Sequence, residues 1–455
     1  MRLTRIAVAA LALAAASSAQ AGALLEVYKK AQFNDKTLQA AGFQRDAALQ
    51  ARPLAISAFL PQLGGQAGYT YQDSESSYSS SRFGSPAPVT VNQKSNGKSR
   101  NLSLSLTQAL FNWEALRRLQ QSDSKVALAE TGYRAASQQL VLRVAQAYFN
   151  VLAAQDFVQF AEAENKAVER QLEQSKQRFE VGLSAITDVQ ESQARYDITV
   201  AQKIDAETQL SSAHRALAEI TNSADDAIVP VVDDFPLAGP DPLAPQQWVD
   251  AAKTSNLAVL SARLTAAIAE GDVKIAGAKH LPTVNIEGGY SNDHGNNTTF
   301  SGRSGSNSPT KSDGTQIAVI ARLPIFSGGA IEAGRHAANS TWQQRLAELD
   351  SASRTAERQT GDAYQGVISG ISRVKALKQA VKSTQTALEA SQVGLQVGAR
   401  TSIDVLNAQR EVSNAQRNYA QARYNYLLSV LSLKLYAGRL GEADLAEIDR
   451  LLGSG

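Results

Sequence analysis

Residues 397–408 read Val397-Gly398-Ala399-Arg400-Thr401-Ser402-Ile403-Asp404-Val405-Leu406-Asn407-Ala408. Earlier in the chain stands Val181-Gly182-Leu183-Ser184-Ala185-Ile186-Thr187-Asp188-Val189, with the same spacing from Val-Gly to Asp-Val. A glycine suits the left-handed residue that ends a helix, so Gly182 and Gly398 each mark a helix stop. Asp188 and Asp404 then fall in the first turn of the next helix, where a carboxylate faces the positive end of the macrodipole. Each stretch therefore predicts a tight turn between two helices, and capping is a sufficient role for both aspartates.

The helices flanking these turns are predicted to be long. No proline occurs between Pro88 and Pro230, or from Pro324 to the end. Both stretches are rich in the helix formers Ala, Gln, Leu, Glu, Lys and Arg. From Val405 a seven-residue repeat runs through Val412, Tyr419, Tyr426 and Leu433, with Ala408, Ala415, Ala422, Ser429 and Tyr436 three residues after each. Val374, Val381, Leu388 and Leu395 continue it upstream. Such a pattern predicts coiled-coil packing, and the small residues allow close helix approach.

Four segments alternate instead. Leu63, Gly65, Ala67, Tyr69 and Tyr71 interleave with Gln62, Gly64, Gln66, Gly68, Thr70 and Gln72. Leu102, Leu104 and Leu106 interleave with Ser103, Ser105 and Thr107. Val284, Ile286, Gly288 and Tyr290 alternate with polar neighbours from Thr283 to Ser291, and a less regular run covers Gln316–Ile325. Period two with one apolar face predicts half-buried strands. Each run has about ten residues, the length at which a tilted strand crosses a bilayer. A soluble sheet packed on helices has the same pattern. The segments Asp73–Ser99 and Asp293–Gly314, dense in Ser, Asn and Gly, are predicted to be exposed loops at the hairpin tips.

The compartment follows from the first residues. Arg2 and Arg5 precede an apolar run from Ile6 to Ala16, and Ala19-Gln20-Ala21 supplies a small-x-small cleavage pattern. Residues 1–21 are predicted to be a secretory signal peptide. Without Arg2 and Arg5 the 45 basic residues become 43 and match the 43 acidic ones, so the mature chain is formally neutral and gives no support to a nucleic-acid partner. The chain has no cysteine, hence no disulfide framework or thiol site. After residue 21 no apolar run is long enough for a transmembrane helix. Any membrane crossing must use the strands.

Leu60-Pro61 recurs as Leu281-Pro282, Gly68-Tyr69 as Gly289-Tyr290, and Leu110-Phe111 is echoed by Ile325-Phe326. The expected organisation is therefore an internal duplication. A first repeat, 22–222, holds a β-hairpin about 61–111 and a helical hairpin about 181–188. A second, 248–438, holds a β-hairpin about 282–326 and a helical hairpin about 397–404. Between them lies a linker, 223–247, punctuated by Pro230, Pro236, Pro240, Pro242 and Pro245, and residues 439–455 follow as a C-terminal segment. An open sheet edge is excluded from lipid, so four strands must close with those of other copies. The smallest membrane barrels use about eight strands. A dimer supplies eight and a trimer twelve, and the residues alone do not choose.

The stretches Gln177–Gly182, Ala185–Gln190, Val397–Leu406 and Ala422–Leu427, with Leu24–Tyr28, resemble the TolC family of outer-membrane channel-tunnels over about residues 23–446. The resemblance implies a membrane α+β fold in which a homotrimer forms a twelve-stranded outer-membrane β-barrel in lipid, continued by a long coiled-coil periplasmic tunnel. It implies an exit duct for type I protein secretion or multidrug efflux, working with a periplasmic adaptor and an inner-membrane ABC or RND transporter. Residues 223–247 and 439–455 would form an equatorial layer.

The resemblance also places a gate at the hairpins. Asp404 would contribute to a ring of carboxylates at the entrance, and such a ring selects cations and can hold a multivalent ion. Arg400 would tie neighbouring coils, with Thr187 and Asp188 as its partners. Two positions depart from the family: Asn407 replaces a second ring aspartate, and Leu395 replaces a tyrosine tie. The expected constriction carries fewer charges and one hydrogen bond fewer.

Catalysis has little support. His214, His280, His294 and His336 have no metal-ligand spacing and read as isolated surface residues. No phosphate loop, serine elbow or cofactor motif occurs. Phe111, Trp113 and Phe326 fall where the strands would leave the bilayer, at an interfacial belt or in local packing. The competing assignment is a periplasmic coiled-coil adaptor or scaffold without a pore, for which the duplicated hairpin and bilayer-length strands are the wrong parts.

Overall fold

A computed structural model describes residues 23–80, 89–224, 226–232, 235–301 and 304–452. The signal peptide predicted at 1–21 and the last three residues of the C-terminal segment lie outside them. In chain order the elements are α1 (Ala23–Asn34), α2 (Lys36–Leu49), α3 (Ala51–Ser57), β1 (Gln62–Ser80), β2 (Val89–Asn112), α4 (Trp113–Glu180) and α5 (Ile186–Thr221). After the linker come α6 (Pro245–Ser255), α7 (Leu257–Ala278), β3 (Thr283–Ser301), β4 (Ser304–Arg322), α8 (Ala330–Gln396), α9 (Ser402–Tyr436) and α10 (Glu442–Asp449). With 68 and 67 residues, α4 and α8 each extend roughly 100 Å at the α-helical rise. Among the described residues no helix is long and apolar enough to cross a membrane.

The chain divides into two compact units. One, Ala47–Ala127 with Leu264–Leu346, holds the sheet, ordered β1-β2-β3-β4 and antiparallel throughout. The strands are longer than the alternation predicts: 19, 24, 19 and 19 residues. Described residues of the expected loops 73–99 and 293–314 instead continue the ladder, with Asp73 opposite Asn96 and Asp293 opposite Ser312; 81–88 and 302–303 lie outside the described residues. The physical reason is that Ser, Asn and Thr stand on both faces there, which erases the two-residue hydrophobic period while backbone pairing persists. At the other end β4 stops at Arg322, short of the expected Ile325, because Pro324 has no N–H for a ladder.

One irregularity matters. The β2–β3 register shifts between Ala109 and Phe111. A bulge reverses the parity of the residues that follow. Phe111 thereby comes opposite Val284, on the apolar face, where it stacks on Trp113 at 6.3 Å between ring centres.

The other unit comprises Met1–Asp46, Leu128–Arg263 and Ala347–Gly455. Its core joins Leu24, Val27 and Tyr28 of α1, Leu140, Val144, Tyr148, Phe149 and Leu152 of α4, and Tyr424, Leu427, Leu431 and Leu433 of α9. Proline keeps described residues 226–244 of the linker out of helices, and side chains of the core pin them. Tyr148 donates to the Val229 carbonyl (3.1 Å), Arg423 Nη2 donates to those of Val231 (2.9 Å) and Val232 (2.8 Å), and Tyr426 donates to that of Ala238 (2.7 Å). Burial pushes the Tyr148 phenol up to about 12, against the opposing pull of its bond to Val229. Pro245 is no breaker: it stands in the first turn of α6, where a missing N–H costs nothing.

Candidate functional site

Both helical hairpins close on a left-handed glycine, Gly182 at φ +76° and Gly398 at φ +78°, as the spacing predicts. In the second turn, Ala399 N–H (2.8 Å) and Arg400 N–H (3.1 Å) both donate to the Gly394 carbonyl. A side chain at residue 394 would meet Arg400 Cγ at 2.6 Å, so this glycine makes room for the arginine to fold back.

The two restarts differ. Thr401 caps α9 with a reciprocal pair: Asp404 N–H donates to Thr401 Oγ1 (3.2 Å), and Thr401 N–H donates to Asp404 Oδ2 (2.8 Å). The Thr401 hydroxyl adds a third bond to Oδ2 at 2.9 Å. The corresponding residue before α5 is Ala185, which has no capping side chain. The Thr401 N–H first, its hydroxyl second and the charge of Arg400 hold the Asp404 carboxyl below the usual carboxylate range. Arg400 Nη1 stands 4.0 Å from Asp404 Oδ1, with both side chains open to solvent.

Asp404 and Asn407 are three residues apart on α9 and share a helix face. Among the described residues no hydrogen bond or ion pair joins Arg400 to Thr187 or Asp188 within the chain; its ionic partner is Asp404. Leu395 packs with Leu388, Val405, Val412 and Ala408 in a small apolar cluster. Near the hairpin the heptad positions are therefore contacts of α8 with α9. Where a tyrosine would reach for a partner, this leucine extends the coiled-coil seam.

Two polar clusters join the hairpins, and neither is apparent from sequence. Near the tips Gln171 Nε2 donates to Ser402 Oγ (2.7 Å), and the hydroxyls of Ser175 and Ser192 lie 3.1 Å apart. Farther from the turns Glu164 of α4, 1% exposed, pairs with Arg195 of α5 (2.7 Å) and Arg417 of α9 (3.6 Å). A groove of about 300 Å³ between the hairpins is lined by Gln171, Gln174, Gln392, Gln396 and Gln409 with Arg170. The signal for the first cluster is a serine at seven-residue spacing from another buried position, Ser175 after Val168 and Ser192 before Thr199.

Two of the histidines are not isolated. His280 Nε2 lies 3.0 Å from Glu332 Oε1, and His336 Nε2 lies 3.9 Å from its Oε2. Sequence separation hid this meeting because α8 folds back beside the end of α7. Among the described residues no cluster of three or more His, Cys, Asp or Glu side chains could hold a metal ion.

Two repeated hairpins, four strands with one apolar face and heptad-packed helices are the parts of an outer-membrane duct. The model of the outer membrane efflux protein family matches residues 27–223 and 248–439. The chain belongs to this family. It is 34% identical to the outer membrane protein TolC of Vibrio cholerae, over 94% of this chain and 93% of that one. The proteases secretion protein PrtF of Dickeya chrysanthemi is 28% identical over 95% and 91%. In fold it resembles the CmeC outer membrane channel of Campylobacter jejuni, with a TM-score of 0.73 and 16% identity over 95% of this chain and 90% of that one. The TolC-family protein is thus an outer-membrane channel-tunnel that serves as an exit duct. Its sheet contributes to a β-barrel, and its long helices are tunnel wall.

Proposed function

We propose that three protomers complete the duct, giving a twelve-stranded barrel and a twelve-helix tunnel. The observation that carries closure by several copies is the open sheet: β1 and β4 each have an unpaired edge in the chain, and lipid tolerates no such edge; the number three rests on the likeness to the TolC family. The repeats 22–222 and 248–438 would supply equivalent quarters of wall, with 223–247 and 439–455 as the equatorial layer. The duct would perform no catalysis. It would be joined by a periplasmic adaptor to an inner-membrane transporter of the ABC or RND class. The relatives span type I protein secretion and efflux, so the chemistry of the cargo belongs to the transporter.

The gate lies at the second hairpin. Three copies of Asp404 around the axis would form a carboxylate ring, flanked by uncharged Asn407. Arg400, held against its own Asp404, would swing to Thr187 or Asp188 of the neighbouring coil in the closed state. Leu395 would substitute apolar packing for a hydrogen-bonded tie. Single-channel recording tests the assignment: Asp404→Ala should abolish divalent-cation block, and Arg400→Ala should raise conductance. Wild-type values for both variants would displace the gate from this hairpin.

A further inference from the structure

The register assigns every strand residue to one face, because opposed residues share a face and the β1–β4 ladder is regular above the Ala109–Phe111 shift. The apolar, lipid-side face carries the row Leu63, Leu106, Gly288 and Ile317, then Gly65, Leu104, Tyr290 and Thr315, then Ala67, Leu102, Asn292 and Asp313. Toward the hairpin tips the next row on that face is Tyr69, Arg100, His294 and Lys311, followed by Tyr71, Lys98, Asn296 and Pro309.

Positive charge therefore begins where the apolar band ends, at the level of two tyrosines. Lys98 Nζ stands 6.0 Å from the centre of the Tyr71 ring. Among the described strand residues the only other lysines and arginines are Lys94, farther out and opposite Glu75, and Arg322 on the lumen side. Arg322 is neutralised by Glu287 at 3.0 Å. Arg100, Lys98 and Lys311 are exposed, and among the described residues none has a carboxylate within ion-pair distance. The nearest acids on this face behave differently: Asp313 accepts from Asn292 (3.2 Å), and Asp73 sits one row beyond Lys98. His294 contributes Nδ1, shielded and without a partner.

We propose that Arg100, Lys98 and Lys311, with His294, form a binding site on the outside of the barrel for the phosphate groups of outer-leaflet glycolipid. Neighbouring strands lie about 4.8 Å apart and alternate residues about 6.8 Å apart, so the three cations fall within reach of one headgroup. The site is continuous with the apolar band, which would take the acyl chains of the same molecule. Cations placed only for solubility would have no reason to avoid the lumen face, whose exposed rows at this height are Ser99, Asn101 and Gly295 with one acid, Asp293.

The test is binding of fluorescent diphosphorylated lipid A to the full-length protein in detergent. Each cation at a charged lipid surface is worth about five-fold in affinity, so Lys98→Gln/Arg100→Gln/Lys311→Gln should weaken binding on the order of a hundred-fold. Lys94→Gln should change it by less than about two-fold. If the triple variant fails to show native circular dichroism, Arg100→Gln alone should lose about five-fold. Unchanged affinity in the variants that fold, equal binding of dephosphorylated lipid A, or an equal loss in Lys94→Gln would overturn the proposal. Competition by inorganic phosphate at the concentration of the lipid would overturn the assignment to glycolipid.

Discussion

The Asp404 carboxylate answers two demands at once: it closes a helix cap, and it is offered as one third of a charged ring. Like charges in a ring raise a carboxyl pKa, whereas the cap lowers it. The cap is supplied mainly by the Thr401 N–H, next by its hydroxyl and then by Arg400. A lowered carboxyl stays ionised below its ordinary value near 3.8, so its capping contribution is present above that pH and fades as pH falls through the lower folded value. Divalent block should therefore persist to a lower pH than the repulsion within the ring alone would allow. Thr401→Val removes the hydroxyl but not the N–H, and should move the midpoint of block upward only part of the way. A midpoint unmoved in Thr401→Val would mean that the hydroxyl bond does not set the charge. Glu164 is the opposite case, a carboxylate sealed between two arginines. Glu164→Leu leaves the half-buried Arg195 without its carboxylate and should cost up to about 3 kcal/mol, whereas Glu164→Leu with Arg195→Met should recover most of it. Urea unfolding followed by helical circular dichroism measures both. The spacing Gly398 to Asp404 was enough to place the aspartate in a first turn. No spacing could have shown Glu164, because its partners arrive from α5 and α9, remote in sequence.

At the scale of elements, the internal duplication is legible in motif but not in mechanics. The two turns have the same left-handed glycine, yet Thr401 caps α9 while Ala185 leaves α5 without a side-chain cap. Ala185→Thr should install the missing acceptor and stabilise the start of α5 by about 1 kcal/mol. Hydrogen exchange at the Thr187 and Asp188 amides would slow correspondingly; unchanged exchange would show that the first hairpin is held by contacts other than its cap. The strands show the complementary limit. Alternation finds a strand only where one face is apolar, so Gln62–Gln72 and Leu102–Thr107 were visible and their polar continuations were not. Those continuations are what carry Lys98, Arg100 and Lys311 beyond the apolar band. The bulge before Phe111 was equally hidden, since the sequence shows an aromatic residue of the wrong parity and only the register explains its position.

Closure is where the whole molecule makes a demand that no single protomer can meet. In the chain β1 runs antiparallel to β2 and β4 to β3, so the free edge of β4 and the free edge of a neighbour's β1 are also opposed in direction. Joining them continues an all-antiparallel sheet, and the pleat must then keep apolar residues outside across the junction. Ile317 and Val319, 80% and 66% exposed in the chain, occupy the outer face of that β4 edge, and Leu63, Tyr69 and Tyr71 that of β1. Since the natural sequence has no cysteine, an engineered pair reports without background. With Ile317→Cys fixed, cysteines scanned through 62–72 should cross-link only at odd positions, which share its face. A protein carrying both cysteines at the best register should yield a covalent ladder ending at three chains. Cross-linking at even positions would mean that the outer face reverses at the junction. A ladder that stops at two would make the barrel eight-stranded, and the threefold ring of Asp404 would fall with it.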